Sequence, residues 1–215
     1  MTLRKTLVRI KKFVFTTNSA YWFEKKIIDE INNFKTEIPV VIEINSTNET
    51  IDWLKKQKEK HSWVVNSNEI DTAQKYNHCW PSAKINNKIV GSIKIGFLKV
   101  YITDYEKVFD LSDKTAFIYD TYVIEKYRKK GIAKLLILKA VNYLNNNGYK
   151  KVGCHIPSWN KASINAYEKI GFKKIIYIRY FRILGIPFRI TKTPKNSSIL
   201  KNTNIKKLGI PYEQN

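Results

Sequence analysis

The sequence predicts an α/β sandwich with a mixed sheet, and three observations support this prediction. In the second half of the chain the patterns follow the order strand, helix, strand, helix, strand, which is typical of α/β domains. Earlier, two short strand-like runs flank Asn86-Asn87, a dipeptide that favours a hairpin turn. The hydrophobic fraction of 43% is near the globular average, so a packed core is expected.

Individual elements follow from apolar periodicity and from capping or turn residues. Strands are predicted at Tyr21–Ile27, Pro39–Ile44, Ser82–Ile85, Lys88–Ile95, Ala116–Ile124, Val152–Ile156 and Phe172–Ile183. Helices are predicted from the cap residues Ser46–Glu49 through Leu54, and over Asn68–Tyr76, Gly131–Leu144 and Asn160–Ile170.

The chain is expected to form one domain, residues 37–190, between two basic extensions. The first extension, residues 1–36, opens with apolar residues at helical spacing from Leu3 to Phe15, separated by Arg and Lys, which predicts a basic amphipathic helix. Such a helix packs on its own domain or a second subunit, or lies on an anionic membrane surface. The second extension, residues 191–215, is polar and basic and has no apolar period.

A formal net charge of +21 predicts a strongly positive field that attracts anions. A CoA-type cofactor, a nucleotide-linked substrate, an anionic lipid surface and a nucleic acid all fit that field. No helix-turn-helix or zinc-ligand spacing supports nucleic-acid binding, and no metal site is predicted. Two cysteines do not indicate a disulfide framework, and no signal-peptide or membrane-spanning run is found, so a cytoplasmic setting is expected.

The segment with the clearest chemistry runs from the end of a predicted strand into an apolar helix at Gly131 and Ala133. The first turn of a helix leaves backbone N–H groups without partners, and the helix dipole adds positive potential there, so a pyrophosphate fits this place. Three lysines add charge to it: Lys129, Lys130 and Lys134. The alternative is an ordinary strand-to-helix turn with a solvated basic face. The segment matches neither the P-loop nor the dinucleotide fingerprint.

Two blocks in this region resemble signatures of the GNAT superfamily of N-acetyltransferases. The block Arg128-Lys-Lys-Gly-Ile-Ala resembles the Q/R-x-x-G-x-G/A motif of that family. Downstream, Asn160 precedes a helix, Tyr167 follows seven residues later, and Gly171-Phe172 closes it, which is similar to the family's second hallmark. Ala133 stands where a second glycine is commoner. The resemblance is strong over Tyr119–Phe172.

This resemblance implies a mostly antiparallel, twisted sheet flanked by helices, in which a splayed strand pair forms a slot for acetyl-CoA. It implies that the pantetheine arm pairs with the backbone of Thr121, Tyr122 and Val123. It implies that the pyrophosphate is held by Arg128, Lys129, Lys130, Gly131, Ile132, Ala133 and Lys134. It also implies that Asn160 contacts the cofactor, and that residues from about Glu49 to Tyr76 and Lys173 to Arg189 set the choice of acceptor.

For catalysis the resemblance places Tyr167 near the thioester sulfur. A thiol titrates near pH 8.5 and a phenol near 10, so a positioned phenol can donate a proton or a hydrogen bond to the leaving sulfur. The alternative is a tyrosine packed on the inner face of its helix. His155 is the first candidate for the base that takes the proton of the amine, and Asp120 is the second. A histidine buried in the sheet is the alternative for His155.

Together these observations predict direct acetyl transfer from acetyl-CoA to a primary amine in a ternary complex. The acceptor is expected to be an aminosugar or nucleotide-sugar, a small amine or a peptide amine. The competing hypothesis is a basic protein that binds nucleic acid or an anionic surface on the same scaffold.

Overall fold

The computed structural model describes residues 15–27, 34–58, 64–103, 107–183 and 186–192. Ten strands lie in these ranges: β1 (Phe15–Lys26), β2 (Val41–Glu43), β3 (Ser82–Ile85), β4 (Lys88–Phe97), β5 (Lys99–Ile102), β6 (Lys107–Asp110), β7 (Thr115–Val123), β8 (Lys151–Pro157), β9 (Lys173–Ile183) and β10 (Ile186–Lys192). The helices of the same ranges are α1 (Thr47–Lys58), α2 (Ser67–Lys75), α3 (Ile132–Asn146) and α4 (Lys161–Lys169).

The chain divides into two compact units. Of the described residues, the smaller unit contains those within 15–24 and 155–192, and the larger unit contains those within 25–154. In the smaller unit, β9 pairs antiparallel with both β1 and β10. The turn after β8 is joined to β1, because the amide of Ser158 donates to the carbonyl of Ser19 at 2.8 Å.

The larger unit is built on a sheet with the strand order β8-β7-β4-β3-β2. β7 and β8 run parallel, and the other three pairs in this order are antiparallel. The ladder between the parallel strands ends at the pair Ile118–Cys154, and β7 continues to Val123. Helix α3 packs on β4 and β7 with a face of buried aliphatic residues that includes Leu136, which is fully buried.

Most predicted elements are confirmed, with boundaries that shift by a few residues. The Asn86-Asn87 turn is present, and both residues adopt positive φ, as a tight hairpin turn requires. The strand expected at Tyr21–Ile27 begins earlier, at Phe15. The strands β5, β6 and β10 were not predicted, and β10 reaches Lys192, inside the polar and basic segment 191–215 that has no apolar period.

Parts of the predicted extensions lie outside the described residues. This holds for the helix expected over Leu3–Phe15, except that Phe15 starts β1, and for the tail after Lys192. The predicted domain boundaries therefore stay predictions. Within the described ranges, no helix combines the length and the apolar character needed to cross a membrane.

Lys94 on β4 is a charged side chain that is almost completely buried in the larger unit, with 1% of its surface exposed. Its ammonium lies 2.8 Å from Glu69 of α2 and 3.1 Å from Asp120 of β7, and it donates to the carbonyl of Val64 at 2.9 Å. Burial alone would lower the pKa of Lys94, but the attraction of the two carboxylates outweighs burial, so the pKa is raised. The ammonium thus ties a strand to its neighbour and to a helix.

We expect Lys94→Met to lower the free energy of unfolding by about 3–5 kcal/mol, because it leaves two buried or half-buried carboxylates without their cation. Urea denaturation measures this loss. Lys99→Met is the matched control, since Lys99 also pairs with an aspartate, Asp110, but both of these side chains are exposed. The control should change stability little, and equal losses in the two variants would contradict the prediction.

Candidate functional site

In the larger unit, the predicted phosphate-binding segment lies between β7 and α3. After Val123 the chain makes a short 3-10 turn, Glu125–Tyr127, and reaches the helix through Arg128–Gly131. Gly131 is the N-cap residue, with φ +81° and ψ −3°, and no side chain caps the helix there. This left-handed conformation is one that glycine adopts without strain.

The first turn of α3 presents backbone donors. The amide of Leu135 donates to the carbonyl of Gly131 at 3.0 Å, and this is the first hydrogen bond of the helix. The amides of residues 132–134 come before it and have no acceptor within the helix. They point out of the helix N-terminus, where the dipole adds positive potential. This arrangement can bind an anion through main-chain groups, as the sequence predicts.

The basic side chains of this segment differ in what they contact. Arg128 turns back and donates through Nε to the carbonyl of Val123 at 3.0 Å, which fixes the curvature of the loop. The ammonium of Lys134 lies 4.1 Å from the centre of the Phe34 ring. The side chain of Lys129 is exposed and that of Lys130 is half-exposed. Arg128 therefore has a structural contact in addition to its predicted role toward phosphate.

Phe34 was not foreseen at this place. A Cβ atom added at Gly131 would lie 3.1 Å from the ring of Phe34 and 3.6 Å from the methyl group of Thr36. The glycine is therefore required by its own φ and by a neighbouring aromatic ring, independently of any ligand. The segment that carries Phe34 also lines a cavity of about 840 Å³ together with Leu135 and Lys139 of α3.

In the smaller unit, Asn160 and Tyr167 mark the two ends of α4. Asn160 is the N-cap residue, and its side-chain oxygen accepts from the amide of Ser163 at 3.1 Å. Tyr167 is 5% exposed and packs edge-to-face on Phe172, with 4.9 Å between ring centres. The carbonyl of Tyr167 accepts from the amides of Ile170 and Phe172, which ends the helix.

His155 also belongs to the smaller unit, on the last part of β8. Its side chain is half-buried, and its ring centre lies 6.1 Å from that of Trp22, which is fully buried. The predicted catalytic residues thus lie on two consecutive elements, β8 and α4. The predicted pantetheine-binding residues and the phosphate-binding segment lie together in the larger unit.

Asp120, the second candidate for the base, lies in the network of Lys94. The sequence contains one signal for that network, because Lys94 stands between Ile93 and Ile95 in an otherwise apolar strand. Its partner Glu69 is remote in sequence and could not be identified from the pattern.

Comparison with known proteins supports a family assignment. A family model for the acetyltransferase (GNAT) family matches residues 40–172. An uncharacterized N-acetyltransferase, YokL, derived from the SPbeta prophage of Bacillus subtilis is 30% identical over 155 residues, which is 68% of this chain and 72% of the relative. A tyramine N-feruloyltransferase (4/11) of Nicotiana tabacum is 29% identical over 90 residues, 41% of this chain and 40% of the relative.

Among solved structures, a GCN5-related N-acetyltransferase from Sphaerobacter thermophilus is similar in fold. The TM-score is 0.50 and the sequence identity is 12%, with 89% of this chain covered. This chain spans 57% of the length of that solved chain. The likeness therefore concerns the fold, which is the mixed, mostly antiparallel sheet flanked by helices that the sequence predicts.

We expect Gly131→Ala to lower the melting temperature more than Gly148→Ala does. Both glycines have positive φ, +81° and +74°, so alanine is strained at either position, by about 1–3 kcal/mol. Only at Gly131 does the new methyl group also meet an aromatic ring, since nothing lies within 4 Å of the position at Gly148. Calorimetric melting of both variants measures the difference, and equal shifts would show that Phe34 does not restrict this position.

Proposed function

Because the chain belongs to the GNAT family of acetyltransferases, we propose that it moves an acetyl group directly from acetyl-CoA to a primary amine in a ternary complex. The family match covers more than half of the chain, and proteins of this fold act on an acyl-CoA and an amine acceptor. The observation that carries the choice of donor is the left-handed turn at Gly131, which opens α3 directly after β7. A diphosphate is the ligand chemistry that such a helix N-terminus favours.

In this proposal the donor is bound mainly by main-chain groups. The backbone of Thr121–Val123 pairs with the pantetheine arm, and the segment Arg128–Lys134 holds the pyrophosphate. Two features of the larger unit support these roles: the β7–β8 ladder ends at Ile118–Cys154, before Thr121, and the first-turn amides of α3 point out of the helix. Asn160 is proposed to contact the cofactor through its side-chain amide nitrogen, since its oxygen caps α4.

The proposed reaction has no covalent enzyme intermediate. The nitrogen lone pair of the acceptor attacks the thioester carbonyl carbon, the carbon–sulfur bond breaks, and the sulfur leaves with the bonding electrons. Tyr167 donates its hydroxyl proton to that sulfur, and His155 takes the proton that the amine loses, directly or through water. The acceptor class comprises aminosugars or nucleotide-sugars, small amines and peptide amines. The name of the tobacco relative adds small aromatic amines to this class.

The setting of the enzyme is also part of the proposal. We place it in the cytoplasm, with residues 1–36 in contact with their own domain, with a second copy of the chain or with an anionic membrane surface. Nucleic-acid binding is the rival hypothesis, and the family match does not favour it.

Titration calorimetry with acetyl-CoA tests the donor. We expect micromolar binding to the native protein and a loss of roughly 100-fold or more in Gly131→Asp, because the new carboxylate would stand among the donors proposed for the pyrophosphate and repel its charge. Gly148→Asp is the control, since it places the same side chain at the other end of α3 at a similar φ in open space. Salt-sensitive DNA binding without acetyl-CoA binding would favour the rival hypothesis.

A second experiment addresses the acid. Tyr167→Phe should lower kcat for amine acetylation by roughly 100-fold or more, with little change in the KM for acetyl-CoA, because a positioned proton donor acts in the transition state. Release of the CoA thiol measures the rate. The matched control is Tyr177→Phe on β9, where the ring packs on Tyr21. If the two variants are equally active, Tyr167 only packs in the core.

A further inference from the structure

Phe34 lies beside the proposed phosphate-binding segment, although it is not part of the region that matches the family. The family match begins at residue 40, and the side chain of Phe34 is half-buried. Two carbons of its ring lie 3.1 and 3.2 Å from the point that a Cβ atom at Gly131 would occupy. The hydroxyl of Thr36 donates to the carbonyl of Ile38 at 2.5 Å, which restrains the chain just after Phe34. The ring therefore stands against the residue that opens α3.

The ring of Phe34 also supports the ammonium of Lys134. The ammonium nitrogen lies 4.1 Å from the ring centre, closer than the nitrogen of Lys126 lies to the ring of Tyr127, at 4.9 Å. Lys134 is the third residue of α3 and is half-buried. A cation at this distance is attracted by the negative face of an aromatic ring. Phe34 thus gives a long, flexible side chain a preferred position at the start of the helix.

A ring holds an ammonium without cancelling its charge. A carboxylate partner would neutralise the cation and accept its hydrogen bonds, as Glu43 and Glu49 do for Lys84. Among the residues that the structure describes, no carboxylate forms an ion pair with Lys134. Its ammonium is therefore placed by the ring while its positive charge and its N–H donors stay available to an anion.

A cation that is already in place binds an anion more tightly than a mobile one does. A lysine side chain is a flexible four-carbon stem, and ordering it on a ligand costs affinity. Where the folded protein has ordered the side chain beforehand, this cost no longer falls on the binding step. A diphosphate at the start of α3 would then meet the Lys134 ammonium together with the backbone amides, which are fixed by the helix itself.

We propose that Phe34 is a positioning residue for acetyl-CoA: its ring holds the Lys134 ammonium beside Gly131, so that the pyrophosphate meets a preformed cation. This inference rests on the proposed function and concerns its donor site. Phe34 acts through Lys134 and needs no contact with the cofactor. The segment in front of the family match thereby contributes to cofactor affinity.

Titration calorimetry with acetyl-CoA compares Phe34→Leu with the native protein. Leucine keeps an apolar side chain but removes the ring face, so Kd should rise about 3- to 30-fold, as for the loss of a cation–π contact. Phe34→Tyr keeps the ring face and should bind acetyl-CoA as the native protein does. Unchanged or tighter binding in Phe34→Leu would overturn the proposal, and tighter binding would show that the ring obstructs the cofactor.

The matched control is Tyr127→Leu. It removes a ring from beside another lysine, Lys126, in the turn that precedes the segment Arg128–Lys134. Because neither Tyr127 nor Lys126 belongs to the proposed phosphate-binding segment, the control should bind acetyl-CoA as the native protein does. An equal loss of affinity in Tyr127→Leu and Phe34→Leu would contradict a specific role for Phe34.

A double-mutant cycle separates positioning of the cation from a general role in packing. Lys134→Met should itself weaken acetyl-CoA binding. Adding Phe34→Leu to Lys134→Met should then change Kd little, because the ring no longer has a cation to hold. If Phe34→Leu weakens binding as much without Lys134 as with it, the ring acts through packing and the proposal is wrong.

The choice of ligand tests the assignment to the pyrophosphate. Acetyl-dephospho-CoA lacks the 3′-phosphate of acetyl-CoA but keeps the pyrophosphate. Phe34→Leu should therefore weaken the binding of both ligands by the same factor. A loss confined to acetyl-CoA would contradict the proposal, because the cation would then serve the 3′-phosphate.

A measurement on the native protein covers the case in which Phe34→Leu does not fold. In protein labelled with ¹³C-lysine, the ring current of Phe34 should shift the ε-CH₂ protons of Lys134 upfield, and Lys134→Arg assigns the signal by its absence. The upfield shift should persist when acetyl-CoA binds. A Lys134 signal that is not shifted, or that loses its shift on binding, would overturn the proposal. Failure of the native protein to bind acetyl-CoA would instead contradict the proposed function itself.

Discussion

The larger unit depends most on the ion pairs and the hydrogen bond made by the Lys94 ammonium. It joins β4, β7 and α2 at one point, in a place where a lone charge would be strongly unfavourable. Because each of its donors has an acceptor, the strands and the helix are fixed relative to one another in direction as well as in distance. Apolar packing would hold the same elements together with less restriction on their geometry. The position of Asp120 is a consequence of this arrangement.

A second set of contacts shapes the proposed phosphate-binding segment. The Arg128–Val123 bond closes the loop on the end of β7, and Gly131 turns the chain into α3 without a side-chain cap. The amides are therefore presented by the backbone alone, and their direction does not depend on the rotamer of a long side chain. The lysines around this segment add positive charge, but they do not set the direction of the backbone donors.

Much of this fold could be predicted from the sequence, because local signals mark its elements. Asn86-Asn87 indicates a hairpin, and Asn160 and Gly171 mark the ends of α4. The β5–β6 hairpin lacks such a signal, since the residue before it, Leu98, has positive φ without being glycine or asparagine. The contacts of Lys94 and Gly131 also escaped prediction, because Glu69 and Phe34 are far from them in sequence and no periodicity links distant residues.

Because the Asn160 side chain caps α4 with its oxygen alone, the rest of its amide group can bind a second partner. The oxygen of Asn160 is occupied by the helix, so what remains for a second partner is a pair of hydrogens on the same planar group. Aspartate or serine would begin the helix equally well, yet a carboxylate would offer no hydrogens and a hydroxyl only one. Among these three capping residues, only asparagine can accept from the helix through its oxygen while its NH₂ group donates two hydrogen bonds to water or to another acceptor.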